Sequence, residues 1–530
     1  MFKIVGFPWI PSVPKILELG EPSEIVFFSV PTESLNYIDG KWIPAASGKT
    51  FESFNPATGE LLGVVPESDA QDVTNAVDAA ARAFDKWRKT PAPHRAEILH
   101  NVADIVRARK QQLGELLTRE MGKVLPEALG DVQEAVDMGM YMAGEGRRLN
   151  GLLVPSELPN KWAMAVRDPL GVVGIITPWN FPIAVPSWKI FPALVCGNTI
   201  VWKPAEDTPI LAVEFVKIFE EAGLPPGVLN LVTGYGVPAG EALVQDPRVK
   251  LISFTGSNEV GKLIAVQCAQ LGKRVSLELG GKNAIVVLDD ADVDLATDGI
   301  IWSAFGTSGQ RCTATSRVIA TPDIYTTIAE RVANRAAKLR LGNGLLPTTD
   351  VGPLINRAAV NKVHEYSEIG KREGAQLLVG GDYATEGELA RGHFYKPTVF
   401  NDVTPQMRLA QEEIFGPSLS IIRANSIDDA IQINNSVNFG LSASVYTSNV
   451  NKAFEAMRDI ATGILYINAG TIGSEVQLPF GGTRGTGNGH REGGGPPVLE
   501  VFTEWKSIYV DYSGKLQRAQ IDTDALVGSK

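Results

Sequence analysis

Several features that mark common protein classes are scarce or absent in this sequence. Only three cysteines occur in 530 residues, too few for a disulfide framework, and their spacing matches no metal site. No apolar run reaches about eighteen residues, so no membrane-spanning helix is predicted. The net charge of −11 argues against a nucleic-acid partner, which needs a basic face. A G-x-G-x-x-G dinucleotide fingerprint is missing too.

The composition that is present is that of a large globular protein. The apolar fraction is 44% and the charged fraction 21%, and the chain is longer than one core ordinarily holds. We therefore predict two or three domains in a reducing, cytoplasmic compartment. The N-terminus is apolar, but Pro8, Pro11 and Pro14 interrupt it. Because no small-residue cleavage site follows, we interpret it as an extension, with a signal peptide as the alternative.

Two series of short β-branched segments predict two parallel sheets. The first, from about 169 to 280, alternates with helical stretches as in βαβ units, which is typical of a dinucleotide-binding domain. The second begins at 283 and needs its own core, so it predicts a separate domain. Residues 72–148 are rich in Ala, Glu, Arg and Leu and predict two or three helices.

Cys312 differs from the other two cysteines in its surroundings. Cys196 and Cys268 lie in apolar helical stretches and are interpreted as buried small hydrophobes. Cys312 lies in GTSGQRCTATSR beside Arg311, a polar and electropositive setting in which a thiolate can form. Taken alone, this setting fits a surface thiol as well as a nucleophile.

Two further motifs offer groups that could act on a substrate. Glu278 lies in the apolar run VSLELGGKN, where burial would raise its pKa and suit it for general-base work. The alternative is a carboxylate that pairs with Lys282 at a strand end. Asn180 lies in TPWNFP, at a strand–helix junction where α/β sheets place ligands. Its alternative role is that of a helix N-cap.

A third motif, ISFTGSNEVGK (252–262), predicts a strand, a turn and a helix. Gly256 lets the backbone approach a ligand closely, and Ser257 can cap the helix. The helix N-terminus would then offer an anion site for a pyrophosphate.

As a set, the motifs resemble those of the aldehyde dehydrogenase superfamily. They occur in the order TPWNFP, VWKPAEDTP, FTGSNEVG, LELGGKN, GQRCTATSR, EEIFGP and PFGG. The resemblance extends from about Asn36 to about Tyr512 and includes the spacing between Glu278 and Cys312. It implies an α/β fold with a Rossmann-like cofactor domain, an α/β catalytic domain and a β-strand oligomerisation arm.

The resemblance also implies bounds for these parts. They are an N-terminal extension (1–35), a cofactor-binding domain (36–148 and 169–280), a catalytic domain (281–482), an oligomerisation arm with its associated segment (149–168 and 483–512) and a C-terminal tail (513–530). The arm implies a homodimer or a homotetramer.

By resemblance, the enzyme oxidises a small-molecule aldehyde to a carboxylic acid through a thioester on Cys312. Glu278 would activate the water that hydrolyses the thioester, and Asn180 with the backbone N–H of Cys312 would form the oxyanion hole. Lys189 and Glu492 match a pair that resembles a proton path from Glu278 to solvent. A structural salt bridge is the alternative for this pair.

The resemblance assigns the adenosine ribose to Lys203 and Glu206. Because a carboxylate accepts hydrogen bonds from a ribose hydroxyl but repels a 2′-phosphate, we predict that NAD is preferred. Lys203 would partly offset the repulsion, so NADP would still be used.

Five further residues match positions near the rest of the cofactor. Trp179, Gly256 and Ser257 would face the pyrophosphate. Glu413 would hold the nicotinamide ribose hydroxyls, with Phe415 packing against the ring.

The motifs indicate the substrate class less clearly than they indicate the family and the cofactor. REMGKVLPEALGD (119–131) and GQRCTATSRV (309–318) look most like α-ketoglutarate semialdehyde dehydrogenases, and the segment 468–489 resembles the α-aminoadipic semialdehyde group. Arg311 would pair with a distal carboxylate, and Glu134 with an amine or hydroxyl.

Three aromatic residues, Phe181, Trp188 and Phe480, would instead form a tunnel suited to apolar aldehydes. We therefore predict a broad range that includes semialdehydes. Two rivals are a coenzyme A-acylating dehydrogenase, which tends to lack the base, and an inactive crystallin-like member, which would lose the nucleophile or base. The sequence retains both.

Overall fold

A computed structural model describes residues 32–521. Of the predicted N-terminal extension (1–35), only residues 32–35 are described. Of the predicted C-terminal tail (513–530), only residues 513–521 are described. The interpretation of the apolar N-terminus therefore concerns residues outside the described part. No helix between residues 32 and 521 has the length and apolarity needed to cross a membrane.

The first part of the described chain contains short strands, a run of helices and two longer strands. In chain order these are β1 (Thr32–Glu33), β2 (Asn36–Ile38), β3 (Lys41–Ile43), β4 (Thr50–Phe54), β5 (Leu61–Pro66), α1 (Ala70–Trp87), α2 (Ala92–Ala108), α3 (Lys110–Met121), α4 (Leu125–Glu145), β6 (Leu152–Pro155) and β7 (Lys161–Pro169).

The region 72–148 holds four helices, so the prediction of two or three is wrong in number. Gly122, at φ +96°, ends α3 in the left-handed conformation that favours glycine. The break between α2 and α3 falls at Arg109, with φ −100° and ψ 14°. Because neither proline nor glycine marks this break, the sequence pattern merges the two helices.

The next part alternates strands and helices. It contains β8 (Val172–Ile176), α5 (Ala184–Cys196), β9 (Thr199–Lys203), α6 (Pro209–Glu221), β10 (Leu229–Leu231), α7 (Glu241–Gln245), β11 (Val249–Thr255), α8 (Asn258–Gln270) and β12 (Arg274–Glu278).

The last part repeats this alternation and ends in a long strand. It contains β13 (Asn283–Val287), α9 (Val293–Phe305), β14 (Thr315–Ala320), α10 (Pro322–Ala336), α11 (Arg357–Glu373), β15 (Gln376–Val379), β16 (Thr398–Asn401), α12 (Arg408–Gln411), β17 (Ser418–Arg423), α13 (Ile427–Asn435), β18 (Phe439–Gly440), β19 (Ser442–Tyr446), α14 (Val450–Asp459), β20 (Ile464–Ile467), β21 (Thr483–Arg484), α15 (Pro496–Phe502) and β22 (Thr503–Asp511).

The first predicted sheet is confirmed, with strand order β12-β11-β8-β9-β10-β2-β3. The strands from β12 to β10 are parallel, whereas β2 and β3 continue the edge in antiparallel pairing. Every residue of β8 and β9 is buried, because helices cover both faces of the sheet. Trp202 packs into the core on one face and Val201 into the core on the other.

The second predicted sheet is also confirmed, with order β15-β16-β17-β14-β13-β19-β20. All pairings are parallel except that of the edge strand β15. Along β13, Ala284 and Val286 belong to one core, and Ile285 and Val287 to another. This alternation shows that the second sheet has its own buried core on each face.

A third sheet is antiparallel and has the order β22-β7-β6. It brings the predicted arm residues 149–168 together with the predicted strand near 506–512. Its pairing runs from Thr503 opposite Pro169 to Asp511 opposite Lys161. Residues 152–154 on the outer strand are exposed although they are apolar, which leaves an apolar sheet edge in this single chain.

The strands β1 to β5 were not predicted. Each has two to six residues, and most mix polar with apolar side chains, so the β-branched pattern is weak. Strands β1, β5 and β4 form a small sheet of their own. Thr32 and Glu33 pair with β5, although they fall within the predicted extension.

Candidate active site

The chain crosses between the two large sheets at the carboxyl end of the first one. Asn180 lies in the loop between β8 and α5, and Glu278 is the last residue of β12. Cys312 lies in the loop between α9 and β14 of the second sheet. The carboxyl ends of the strands form the edge at which open α/β sheets bind ligands.

Cys312 is partly exposed, whereas Cys196 and Cys268 are buried as predicted. Burial of the Cys312 thiol raises its pKa to about 12, and the carboxylates of Glu278 and Glu413 add to the rise. The predicted electropositive setting is therefore wrong, since the charges that dominate around this thiol are negative.

Arg311 does not face the thiol, which explains the difference. Its Nη2 lies 3.1 Å from Oε1 of Glu127, a residue of α4. The guanidinium also packs against two aromatic rings, 5.2 Å from the centre of Trp302 and 5.5 Å from that of Phe181. The position of Arg311 next to Cys312 in sequence predicted a cation beside the sulfur, but the Arg311 side chain binds Glu127 instead.

Asn180 is buried, with 5% of its surface exposed. The residue that caps α5 is Ile183, so the alternative of Asn180 as the N-cap is wrong. Nδ2 of Asn180 donates to the carbonyl of Gln310, at 3.0 Å. Asn180 thereby contacts the loop of Cys312 directly.

Glu278 is buried at the inner end of β12 and is 3% exposed. Burial raises the pKa of its carboxyl well above the usual range; the charge of Glu492 raises it further, and that of Lys189 opposes the rise. Within residues 32–521, Oε2 of Glu278 and Nζ of Lys282 have no hydrogen-bond partner. The alternative Glu278–Lys282 pair is therefore not formed.

A glycine provides the space for the Glu278 carboxyl. Gly481 has φ +142°, and a side chain there would place a Cβ 2.6 Å from Oε1 of Glu278. The same C-terminal segment pairs with the edge of β12, where the N–H of Leu279 donates to the carbonyl of Thr486 at 2.7 Å. The site therefore depends on a segment that follows the second sheet in sequence.

Lys189 and Glu492 form a buried ion pair. Nζ of Lys189 also donates to the hydroxyl of Ser253 at 3.1 Å. The backbone of Glu492 pairs with that of Phe480 through two hydrogen bonds, of 2.6 and 2.8 Å. The two residues predicted as a pair are thus in contact, next to Glu278.

The predicted adenosine residues lie together at the carboxyl end of β9, in the strand next to β8. Nζ of Lys203 donates to the carbonyls of Gly234 and Pro204 at 2.7 and 2.8 Å, and lies 3.4 Å from Oε2 of Glu206. The Glu206 side chain is 40% exposed. A partly exposed carboxylate beside a fixed ammonium is chemically suited to ribose hydroxyls.

The remaining predicted cofactor residues lie in the loops that follow β8 and β11 of the first sheet and in the segment between α12 and β17 of the second. Ser257 caps α8 by accepting the N–H of Val260 at 3.3 Å, and Gly256 precedes it. Oε1 of Glu413 accepts the N–H of Gly281 at 2.8 Å. The rings of Trp179 and Phe415 meet edge to face, with centres 5.6 Å apart.

A family model described as "Aldehyde dehydrogenase family" matches residues 42–508 of this chain. The chain belongs to the aldehyde dehydrogenase family.

Individual relatives agree with this assignment. The chain is 42% identical to alpha-ketoglutaric semialdehyde dehydrogenase of Bacillus subtilis over 477 residues, which cover 90% of this chain and 98% of the relative. It is 39% identical to alpha-ketoglutarate semialdehyde dehydrogenase of Haloferax volcanii, with 90% and 99% covered. These matches confirm the predicted family and enzyme class.

A solved structure of betaine aldehyde dehydrogenase from Staphylococcus aureus, in complex with NAD+, has the same fold. It superposes with a TM-score of 0.89 at 34% identity, covering 91% of this chain and 95% of the other. The predicted fold class, with two α/β domains and a β-strand arm, is thereby confirmed.

The residues predicted to contact the aldehyde form a group around α4 and α5. Nζ of Lys123 lies 3.7 Å from the ring centre of Phe181, and the rings of Trp188 and Phe480 are 5.5 Å apart. Glu134 lies on α4, where burial raises the pKa of its carboxyl to about 8, with a further contribution from Asp131.

Sequence reasoning missed three charged residues of this aldehyde dehydrogenase. Lys123 and Asp131 form an ion pair with no exposed side-chain surface, 2.9 Å apart. Asp131 also accepts the N–H of Ala184 at 2.8 Å. Glu127, the third, binds Arg311. The spacing of four between Glu127 and Asp131 was the available signal, because it places both on one face of α4.

Proposed function

We propose that this aldehyde dehydrogenase oxidises aldehydes to carboxylic acids with Cys312 as nucleophile and Glu278 as general base. The convergence of Asn180, Glu278 and Cys312 at the end of the first sheet supports the proposal. Glu278 is close enough to Cys312 for its charge to raise the pKa of the thiol, and Asn180 donates to the loop that carries the thiol.

The first step begins when the partly exposed Cys312 thiol gives its proton to solvent. The sulfur of the resulting thiolate then attacks the aldehyde carbon. The carbonyl oxygen becomes an oxyanion in the resulting thiohemiacetal. Nδ2 of Asn180 and the backbone N–H of Cys312 are the donors that would bind it. Each such donor contributes roughly 3–4 kcal/mol in enzymes that use an oxyanion hole.

The last step is hydrolysis of the thioester on Cys312. Glu278 takes a proton from water, and the hydroxide oxygen attacks the acyl carbon to release the acid. A raised pKa suits this role, because a base with a pKa near the working pH both accepts and releases protons. The presence of this buried carboxyl favours water over coenzyme A as the acceptor of the acyl group.

We further propose that Lys189 and Glu492 carry the proton from Glu278 towards solvent. The two groups are in contact, and both influence the charge state of Glu278. In this proposal the ion pair serves the reaction as well as the fold.

The residues present fit NAD+ as the cofactor. Glu206 and Glu413 offer carboxylates for the two riboses, and the capped N-terminus of α8 at Ser257 offers N–H groups for the pyrophosphate. The adjoining rings of Phe415 and Trp179 offer an aromatic surface against which the cofactor could pack. When bound, NAD+ supplies the acceptor for the hydride that leaves the aldehyde carbon. The solved S. aureus relative contains NAD+.

For the substrate, we propose semialdehydes that carry a carboxylate, together with apolar aldehydes. The B. subtilis and H. volcanii relatives are named for α-ketoglutarate semialdehyde. Lys123 and Arg311 both contact Phe181. Each is paired with a carboxylate of α4, so a substrate carboxylate would share a cation with Asp131 or Glu127. Trp188 and Phe480 provide the apolar surface that hexanal or benzaldehyde would contact.

We also propose that the sheet formed by residues 149–168 and 483–512 joins subunits into a homodimer or homotetramer. The exposed apolar edge at residues 152–154 supports this. The proposed bounds are 36–148 with 169–280 for the cofactor-binding domain and 281–482 for the catalytic domain. A cytoplasmic location is proposed because all three cysteines are free thiols.

The decisive test is Cys312→Ala, with Cys196→Ala and Cys268→Ala as matched controls. We expect Cys312→Ala to abolish aldehyde oxidation, measured as NADH formation, while fluorescence titration shows unchanged NAD+ binding. The two control variants should remain within a few-fold of the parent rate, because those thiols are buried in the cores. Normal turnover by Cys312→Ala would refute the proposal.

A further inference from the structure

One carboxylate on α4 binds the loop that leads to Cys312. Glu127 is 7% exposed, and both of its oxygens accept the backbone N–H of Thr307, at 3.0 and 2.8 Å. Oε2 also accepts the Thr307 hydroxyl at 3.1 Å. Oε1 lies 3.1 Å from Nη2 of Arg311, whose Nε donates to the Thr307 hydroxyl at 2.9 Å. Three side chains thus form a closed network.

The loop that this network holds has an unfavourable backbone. Thr307 and Ser308 have φ values of +51° and +58°, in the left-handed region that non-glycine residues rarely adopt. Threonine is β-branched, so its cost there is higher than that of most residues. Both residues are buried, and the Ser308 hydroxyl donates to the carbonyl of Gly352 at 2.7 Å. The conformation persists because side-chain contacts impose it.

The loop fixes the position of the sulfur relative to the oxyanion donors. The carbonyl of Gln310 accepts from Asn180, and that of Cys312 accepts from Nδ2 of Asn283 at 2.7 Å. If the turn at Thr307 relaxed, Gln310 and Cys312 would move with it. The side-chain amide of Asn180 and the backbone N–H of Cys312 would then no longer both be directed at the oxyanion of the substrate.

We propose that Glu127 is a positioning residue for the nucleophile. It holds the Thr307–Ser308 turn in its left-handed conformation and keeps the guanidinium of Arg311 away from the Cys312 thiol. This inference rests on the proposed role of Cys312. It adds a residue that touches neither the substrate nor the cofactor.

The chain contains a matched control for the loss of a buried carboxylate. Glu120, on α3, is also buried and accepts two backbone N–H groups, from Ile210 and Leu211 at 2.8 and 2.9 Å. It also accepts a hydroxyl, from Ser53 at 3.1 Å. Glu120→Gln therefore reports what loss of a buried acceptor does to stability alone.

The experiment compares Glu127→Ala, Glu127→Gln and Glu120→Gln in the full-length protein. Four quantities are measured: kcat, the dissociation constant for NAD+, the melting temperature, and the rate at which iodoacetamide alkylates Cys312. Since misplacement by about 1 Å can cost on the order of 100-fold, we expect Glu127→Ala to lower kcat roughly 10- to 100-fold. The alkylation rate at neutral pH should instead rise at least threefold, because the guanidinium of Arg311 loses its partner and can favour the Cys312 thiolate.

Glu127→Gln retains an oxygen for the Thr307 N–H and should keep a larger share of kcat than Glu127→Ala. It loses the charge that pairs with Arg311, so its alkylation rate should rise as well. NAD+ affinity should stay within about twofold of the parent in all variants, because Glu127 contacts Thr307 and Arg311, which are not among the predicted cofactor residues. Glu120→Gln should lower the melting temperature and leave the alkylation rate unchanged. If Glu127→Ala does not fold, a lowered kcat together with a raised alkylation rate in Glu127→Gln supports the inference, and parent values of both contradict it.

The inference is overturned if the folded Glu127 variants keep the parent kcat and alkylation rate. It is equally overturned if Glu120→Gln changes kcat and the alkylation rate as much as they do, which would show a general loss of structure. If instead Cys312→Ala retained turnover, the proposed nucleophile would be wrong, whatever the Glu127 variants did. The two failures are therefore distinguishable.

Discussion

Lys189 and Glu492 are 303 residues apart in sequence, and their charged groups form an ion pair away from solvent. Their charges act in opposite directions on the pKa of Glu278, which Glu492 raises and Lys189 lowers. Burial is the largest cause of the raised pKa, and the charges of the ion pair modify it. This relationship leads to the first prediction.

Glu492→Gln removes a negative charge, so the pKa of Glu278 should fall. Lys189→Met removes a positive charge, so that pKa should rise. Because Glu278 acts as a base when deprotonated, the acidic limb of the kcat profile should move to lower pH in Glu492→Gln and to higher pH in Lys189→Met. We expect displacements of about one pH unit.

The control for this pair is Lys217→Met, which removes an exposed lysine that pairs with Glu214 and should leave the profile in place. Displacement in the same direction by Glu492→Gln and Lys189→Met would rule out electrostatic control of Glu278 by this pair.

Glu278→Gln should separate the two half-reactions. Attack by Cys312 and oxidation need no water, so one equivalent of NADH should form rapidly in a stopped-flow trace. Steady-state turnover should fall by roughly 10²- to 10⁴-fold, the usual contribution of a general base. Loss of the rapid phase as well would place Glu278 before hydrolysis, as an activator of the thiol.

The same variant should change the acidity of the nucleophile. Glu278 is one of the causes that raise the pKa of Cys312, so its neutralisation should lower that pKa. The pH midpoint of iodoacetamide alkylation should then move to lower pH. An unchanged midpoint would show that the two groups do not interact in solution.

Cofactor preference should depend on Glu206. In the parent, NAD+ should be favoured over NADP+ in kcat/KM, because a carboxylate repels the 2′-phosphate. Glu206→Gln should raise the relative efficiency with NADP+ by about tenfold. Glu221→Gln, which removes an exposed carboxylate at the end of α6, is the control. A parent enzyme that favours NADP+ tenfold would contradict the assignment.

Glu134 should make recognition of acidic substrates depend on pH. Its pKa is about 8, so it is neutral at pH 7 and negatively charged at pH 9. The KM for succinate semialdehyde should therefore rise over this range because of repulsion, while the KM for hexanal stays constant. In Glu134→Gln both values should be independent of pH.

Arg311→Met extends this test to the opposite charge. If Arg311 attracts the distal carboxylate, the variant should lose efficiency with succinate semialdehyde relative to hexanal. Equal losses with both aldehydes would instead indicate that Arg311 acts only through Glu127 and the loop of Cys312.

The motifs were enough to identify the family, both large sheets and the residues that meet at the site. They succeeded because the reacting groups lie at strand ends or in turns, where neighbouring residues fix the backbone. The charge around Cys312 could not be obtained in this way. It depends on the contact of Arg311 with Glu127 of α4, which comes from a distant part of the chain, and on the carboxylate of Glu413.

Other differences have local causes. The break between α2 and α3 at Arg109 carries no glycine or proline, so periodicity alone does not reveal it. The strands β1 to β5 are short and partly polar, and their pairing partners determine them more than their composition does. Thr307 and Ser308 adopt the left-handed backbone conformation, which threonine and serine rarely adopt, so their residue types do not predict it. Such departures are common near functional groups.

The long separation between Lys189 and Glu492 also matters while the protein is being made. At about 5–20 residues per second, the ribosome needs roughly 15–60 s to extend the chain by the 303 residues from Lys189 to Glu492. During that interval the lysine of α5 has no carboxylate from the C-terminal segment to neutralise it. Newly synthesised chains therefore acquire the complete set of reacting groups only after the strands of both large sheets have been synthesised.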